Sequence, residues 1–198
     1  MVRIFSELNL LEVEEWRYGT NREQRQYKRY KKGKQFLTVE IPHKVLQRAR
    51  VFCDDVTEMQ VHWEFELNDL FKVLATNFIL WLREQSEPTD VYEGLQNMYQ
   101  HFKRTYNGVE KNHTHLVGFH RSDYRPVTVE LEYGTIHRLE VLLEDMDYLK
   151  PKHEYTVENV VSSLLCDYIN KLQTDGKGEI KKMVNFILRE WGETIEEE

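Results

Sequence analysis

This chain is poor in cysteine and proline and has no long apolar run. Its two cysteines, Cys53 and Cys166, lie in apolar surroundings without a CxxC partner or an export signal. We expect both to be reduced core residues, and a disulfide between them is the less favoured alternative. The longest apolar stretches fall far short of the roughly 20 residues of a membrane helix. The N-terminal residues contain no signal-peptide core, so the sequence predicts a cytoplasmic protein with no membrane partner.

Catalytic and metal-binding signals are also sparse. The sequence contains neither a glycine-rich phosphate-binding loop nor a nucleophile motif. His113, His115 and His120 are candidate metal ligands, because HxH on a strand directs both imidazoles to one face. No acidic pair or cysteine completes that set, so surface histidines are favoured. We therefore expect a protein that is not an enzyme and that uses no cofactor or metal.

Negative charge outweighs positive charge overall, but positive charge is concentrated in one segment. The formal net charge is −7, which argues against a generic nucleic-acid coat. Residues 17–34, RYGTNREQRQYKRYKKGK, nevertheless hold eight Lys or Arg against one Glu. A basic segment within an acidic protein can attract a polyanion locally.

The chain contains two copies of one sequence pattern, ninety residues apart and without gaps. FLTVEIPHKVL at 36–46 corresponds to PVTVELEYGTI at 126–136. About ten of the 51 positions are identical between 35–85 and 125–175, and apolar residues align with apolar residues along both copies. Each copy begins with apolar residues at alternate positions, which predicts a strand, and continues with two stretches at helical spacing.

The two copies need each other to form a core, because one strand followed by two helices leaves the strand without a partner. Antiparallel pairing of the strands and interlocking of the helices solves this problem. We therefore predict an α+β, mostly α fold, a tandem pseudo-dimer with a two-stranded antiparallel ribbon. The predicted divisions are an N-terminal segment with a basic arm (1–34), copy 1 (35–85), a helical linker (86–124), copy 2 (125–175), and a C-terminal amphipathic helix with an acidic tail (176–198).

The linker and the C-terminal segment each predict a further helix. In the linker, EGLQNMYQHFKRTY predicts a helix with one apolar face formed by Leu95, Met98, Tyr99 and Phe102. The later HTHLVGFH suggests a short extra strand. The C-terminal helix, GEIKKMVNFILREWGE at residues 178–193, is expected to pack on the core. The alternative for this helix is homodimer formation or docking of a protein partner.

The repeated residues resemble the ribbon-helix-helix DNA-binding family of methionine-repressor and Arc-like proteins, here in two tandem copies. FLTVEIPHKVL is similar to a Thr-Val-x-Ile-Pro-x-Lys-Val-Leu run at the strand and helix start of that family. The resemblance covers about half of the chain. It implies a sequence-specific, repressor-like transcriptional regulator that inserts its ribbon into the major groove of double-stranded DNA.

The resemblance further implies that outward strand side chains read bases and that amides at the start of each second helix hold phosphates. Thr38 and Thr128 match the family threonine, whose hydroxyl contacts a base edge and whose methyl meets a thymine methyl. Phe36 and Pro126 depart from the family, which often places Lys, Arg or Gln there. The complete predicted nucleic-acid-binding set is Phe36, Thr38, Glu40, Thr128, Glu130, Lys28, Arg29, Lys31, Lys32, Lys34, Arg121, Arg125 and Thr156.

The basic members of this set come from segments that lead into the strands. RQYKRYKKGKQ runs directly into the first strand, so we interpret it as an arm that follows a groove or the backbone, with Tyr27 and Tyr30 stacking or packing. The alternative is a solvated tether. Arg121 and Arg125 hold the corresponding place before the second strand, and Thr156 is expected to cap the second helix of copy 2.

Two acidic side chains on the predicted reading face point to a different function. Glu40 and Glu130 can accept from a cytosine amino group, but a carboxylate near phosphates more often repels them. Acidic residues also open both second helices, where they suit the helix dipole and compete with a phosphate. The alternative hypothesis is therefore a ribbon-helix-helix-derived protein-interaction module or inhibitor that has lost DNA binding.

Overall fold

The computed structural model describes residues 3–59, 64–85, 87–107, 123–175 and 184–186. In chain order its elements are α1 (Leu10–Glu15), a 3-10 turn (Trp16–Tyr18), α2 (Asn21–Lys32), β1 (Lys34–Pro42), α3 (His43–Met59), α4 (Leu67–Glu84), α5 (Pro88–Asn107), β2 (Tyr124–Glu132), α6 (Tyr133–Leu149) and α7 (Val157–Asp175). The fold is α+β and mostly helical, as the sequence predicts. Within the described ranges, no helix is long and apolar enough to cross a membrane.

The strands β1 and β2 pair antiparallel to form a two-stranded sheet. Thr38 lies opposite Thr128 at the centre, Lys34 lies opposite Glu132 at one end, and Pro42 lies opposite Tyr124 at the other. Because Thr38 and Thr128 are also equivalent in the sequence repeat, a pseudo-twofold axis passes between them.

One face of this sheet is buried. Leu37, Val39 and Ile41 are fully buried in β1, and Val129 and Leu131 are buried in β2. Burying an aliphatic side chain of this size contributes roughly 1.5–3 kcal/mol. The alternation of apolar and polar residues therefore fixes which face of the ribbon meets the core.

The helices of the two copies interlock. The helix α7 of the second copy contacts β1 and α3 of the first, while α4 of the first contacts β2 and α6 of the second. At their meeting point the ring of Phe52 lies edge-on to Phe65 and to Tyr168, with ring centroids 6.5 Å and 5.4 Å apart. Each strand is therefore covered by helices from both copies, which supplies the core that one copy could not close.

Both cysteines belong to this core. Cys53 and Cys166 are free and buried. Burial raises the pKa of the Cys53 thiol to about 12, with Asp54 adding to the effect, and burial also raises the pKa of Cys166. Their neutral thiols pack as small apolar groups, as the sequence predicts.

The predicted linker helix is present as α5, and it packs on α7. Its residues Val91 and Leu95 are buried, and Tyr99 lies edge-on to Tyr155 at a centroid distance of 5.0 Å. The three described C-terminal residues, 184–186, are helical, and Val184 and Phe186 pack against the core. The rest of the predicted C-terminal helix and the predicted HTHLVGFH strand, with its three histidines, lie outside the described residues.

The segment interpreted as a basic arm forms a helix, α2, which also differs from the alternative of a solvated tether. Thr20 and Glu23 form a capping box, in which the Glu23 amide donates to Thr20 Oγ1 (3.4 Å) and the Thr20 amide donates to Glu23 Oε2 (2.6 Å). Tyr27 is buried and lies edge-on to Tyr133, with ring centroids 6.4 Å apart. Since its ring is buried, Tyr27 docks α2 onto α6 and is not available to stack on a base.

Candidate nucleic-acid interface

The outward side chains of β1 and β2 form an exposed surface, the ribbon face. It consists of Lys34, Phe36, Thr38, Glu40, Pro126, Thr128, Glu130 and Glu132. Thr38 and Thr128 lie at its centre, and both are exposed. Phe36, 55% exposed, lies beside this pair. The sequence-predicted strand residues therefore share one surface, with a polar and apolar mixture that can contact base edges and thymine methyl groups.

One of the two predicted acidic side chains on this face is neutralised. Glu130 Oε1 lies 2.8 Å from Lys34 Nζ and 3.6 Å from Lys72 Nζ. The hydrogen bond from Lys34 lowers the pKa of Glu130, desolvation opposes this, and the charges of Lys34 and Lys72 lower the pKa further. The same contact raises the pKa of Lys34. Glu130 therefore presents a charge-balanced cluster rather than a bare carboxylate.

Glu40 differs from its repeat counterpart Glu130. It is exposed, and it has no ion-pair partner among the residues that the structure describes. The counterpart of Lys72 in the second copy is Ser162, which is buried and carries no charge. The ribbon face is therefore electrostatically asymmetric, with a balanced end near Lys34 and an acidic position at Glu40.

The basic residues of α2 lie near the balanced end, because α2 ends shortly before β1 begins. Lys28, Arg29, Lys31 and Lys32 are all exposed. Lys31 Nζ donates to the hydroxyl of Tyr27 at 3.2 Å and lies 5.5 Å from the centre of the Tyr27 ring. These four cations therefore belong to one helix whose orientation is set by buried contacts.

The two predicted arginines do not join this group. Arg125 lies within β2 rather than before it, opposite Ile41, at the end of the ribbon away from Lys34. Its side chain is exposed. Arg121 lies outside the described residues. The structure therefore brings cations together at one end of the ribbon and places Arg125 at the other.

The start of α7 is occupied by the protein itself. Thr156 caps the helix as predicted, and its hydroxyl accepts from the amide of Asn159 at 3.3 Å. The amide of Val157 donates to the carbonyl of Phe5 at 2.8 Å, and Glu158 Oε1 accepts from the amide of Glu7 at 2.7 Å. A phosphate at this position would have to displace the N-terminal segment.

The start of α4 is also satisfied internally. Glu66 and Asp69 form a capping box, in which the Glu66 amide donates to Asp69 Oδ2 at 3.1 Å. The neighbouring Asn68 Oδ1 accepts from the amide of Glu130 at 2.8 Å, which joins α4 to the edge of β2. Carboxylates therefore hold the place where a family phosphate is expected.

The N-terminal segment is the part of this region that sequence reasoning missed. Glu7 Oε1 accepts from the amide of Thr38 at 2.6 Å, at the outer edge of β1. The fully buried Glu140 on α6 accepts from the Ser6 hydroxyl and from the amide of Leu11, the latter at 2.8 Å. One sequence signal for this docking is that Glu140 stands where the first copy has Arg50, so an acidic residue replaces a basic one.

Comparison with known proteins adds no relative. No protein-family model, curated protein or solved structure was found to match this chain. A function therefore has to be argued from the ribbon face, its flanking charges and the packing that positions them.

Proposed function

We propose that this protein is a cytoplasmic, sequence-specific DNA-binding transcriptional regulator of the repressor-like, ribbon-helix-helix type, with both halves of the pseudo-dimer in one chain. The observation that carries the proposal is the antiparallel pairing of β1 and β2, centred on Thr38 and Thr128. The crossing of α4 and α7 onto the opposite copy supports it further. A two-stranded ribbon has the dimensions to enter the major groove of B-DNA.

On this proposal the central threonines meet the middle of the DNA site. Their hydroxyls contact base edges, and Phe36 offers an apolar contact to a thymine methyl group. Phe36 and Pro126 are equivalent positions in the sequence repeat. The two halves of the ribbon therefore present different side chains to the bases. The expected site is therefore an imperfect palindrome.

The charges near Lys34 favour DNA binding, although the chain as a whole is acidic. Lys34 and Lys72 balance Glu130, and α2 adds four exposed cations nearby. Phosphate contacts from such groups release counterions, so binding is expected to weaken steeply with salt.

A second function, from a different class, is favoured by specific observations. Glu40 is exposed without an ion pair among the described residues, and the starts of α4 and α7 are filled by the protein's own groups. A protein-interaction module or inhibitor that presents its acidic positions to a basic partner would keep these features. It would not require free helix N-termini.

The deciding experiment is selection from a pool of random duplex DNA at low and at moderate salt, followed by sequencing of the retained duplexes. The proposal predicts an enriched motif with imperfect twofold symmetry. A matched selection with a variant carrying Lys28→Gln, Arg29→Gln and Lys32→Gln should retain less DNA without changing the motif. Failure of the parent protein to retain any duplex at low salt would overturn the DNA proposal and favour the protein-interaction module.

A further inference from the structure

A cleft of about 490 Å³ lies at the end of the ribbon where α2 meets β1 and β2 meets α6. Four lysines line it. Lys31 and Lys32 end α2, Lys34 begins β1, and Lys72 lies on α4. We call this concavity the lysine cleft. Several ammonium groups around one concavity repel one another and raise the local concentration of anions.

The carboxylates of the lysine cleft only partly offset its lysines. Glu130 and Glu132 also line it. Glu130 is engaged by Lys34 and Lys72, as its distances of 2.8 Å and 3.6 Å show. Four lysines against two glutamates leave the cleft with a positive excess, in a chain whose net charge is −7.

The position of the lysine cleft connects it to the ribbon face. Lys34, Glu130 and Glu132 belong to both surfaces. A polyanion that lies along the ribbon face therefore reaches Lys34, which also lines the cleft.

Among the residues that the structure describes, the other end of the ribbon has no equivalent group of lysines. The counterparts of Lys34 and Lys72 in the sequence repeat are Tyr124 and Ser162, and Ser162 is only 3% exposed. Within the described part of the chain, this feature is therefore found at one end of the ribbon, whereas the strands themselves are paired symmetrically about Thr38 and Thr128.

We propose that the lysine cleft binds phosphate groups and, on the proposed function, that these belong to the DNA backbone. The cleft would supply the phosphate contact that the starts of α4 and α7 do not offer, because those are filled by protein groups. Lysine suits this role because its ammonium group is a compact charge with three donors that needs no fixed orientation. DNA would then be anchored at one end of the ribbon.

The test compares a cleft variant, Lys31→Gln with Lys32→Gln, with a control variant, Arg22→Gln with Arg25→Gln. All four residues are exposed on α2 and both variants remove the same charge, but only the first pair lines the cleft. Affinity for a fixed duplex is measured over a range of salt. The cleft variant is expected to bind about tenfold more weakly near 0.1 M salt, with a slope of log K against log[salt] smaller by about 2, or about 1 for each lysine. Equal weakening by the control variant would overturn the proposal in favour of diffuse attraction.

A second measurement separates this proposal from the proposed function. Pyrophosphate is titrated into each protein at constant ionic strength, and the amide NMR signals of Gly33 and Gly134, which line the cleft, are followed. The phosphate site is supported if the parent and the control variant show saturable shifts and the cleft variant does not. This result would stand even if the parent bound no duplex and the DNA proposal failed. Absence of saturable shifts in the parent would overturn the phosphate site, whether or not DNA binds elsewhere. Matching melting temperatures of the three proteins establish that each is folded.

Discussion

Thr38 of β1 pairs with Thr128 of β2, its own equivalent in the sequence repeat. The sheet and the repeat therefore have the same centre, as expected if each copy once met an identical partner. A slip of one residue in β1 would turn Leu37 out of the core, because strand side chains alternate between faces. The register is thus fixed by burial on one face, which leaves the exposed threonines free to serve binding.

Replacing both central threonines by valine should change which DNA sequence is preferred and leave the fold intact. Thr38→Val with Thr128→Val removes two exposed hydroxyls but keeps the β-branched shape that suits a strand. Selection from random duplexes should give a different motif at its centre, while the free energy of unfolding changes by less than about 0.5 kcal/mol. An unchanged motif would contradict base reading by these threonines.

Truncating a side chain on the buried face of β1 should lower stability much more than truncating one on its exposed face. Leu37 is fully buried and Phe36 is 55% exposed, although they are neighbours. Leu37→Ala is expected to lower the free energy of unfolding by about 2–5 kcal/mol through lost burial and a cavity. Phe36→Ala is the control, and it should change that free energy by no more than about 0.5 kcal/mol. Urea denaturation of both variants measures the difference, and equal losses would show that the ribbon is not covered by helices in solution.

The strands and the paired helices could be predicted from the sequence because their signal is periodic. Leu37, Val39 and Ile41 alternate, and the same alternation recurs ninety residues later. The antiparallel pairing followed from the need of each strand for a partner. The helix α2 was not predicted, because its segment was interpreted as an arm, although Thr20 followed by Glu23 is a capping-box pattern at the start of a run of good helix formers.

The docking of the N-terminal segment could not be predicted in the same way. It depends on polar contacts between residues far apart in sequence, such as Glu140 with Leu11 and Glu14 with Tyr133. Such contacts have no period, and one buried carboxylate looks like any other acidic residue on a helix until its donors are known. The same reason hid Lys72, whose importance comes only from its distance to Glu130.

Removing the Glu140 side chain should release the N-terminal segment. Glu140→Ala leaves the Leu11 amide and the Ser6 hydroxyl without their acceptor, and an unsatisfied buried donor costs about 1–3 kcal/mol. Hydrogen exchange at the Leu11 amide is expected to accelerate, together with a fall in the free energy of unfolding. The matched control is Asp145→Ala, an exposed acid on the same helix. Unchanged protection of Leu11 would mean that Glu140 does not hold the segment.

The buried histidine of this region should make stability depend on pH above the range of the carboxylates. His153 Nδ1 accepts from the Tyr155 amide at 3.1 Å, so the proton of the neutral ring lies on Nε2, which donates to the Leu143 carbonyl at 2.8 Å. Burial, with the charge of Arg3, lowers the pKa of His153 below its ordinary 6.5, and the opposing effects of the Leu143 carbonyl and Asp147 are smaller.

The unfolded chain therefore binds more protons than the folded chain once the pH falls below about 6.5, and the free energy of unfolding decreases from there towards the lowered pKa. One such group contributes a slope of at most about 1.4 kcal/mol per pH unit. Urea denaturation between pH 7.5 and 5.5 is expected to show this loss in the parent and in His43→Gln, which removes an exposed histidine, but not in His153→Gln. Glu14, Glu23 and Glu130 also have lowered pKa values, but carboxylates with an ordinary pKa of 4.5 lose their contribution only below this range. A slope that persists in His153→Gln would assign the pH dependence to another group.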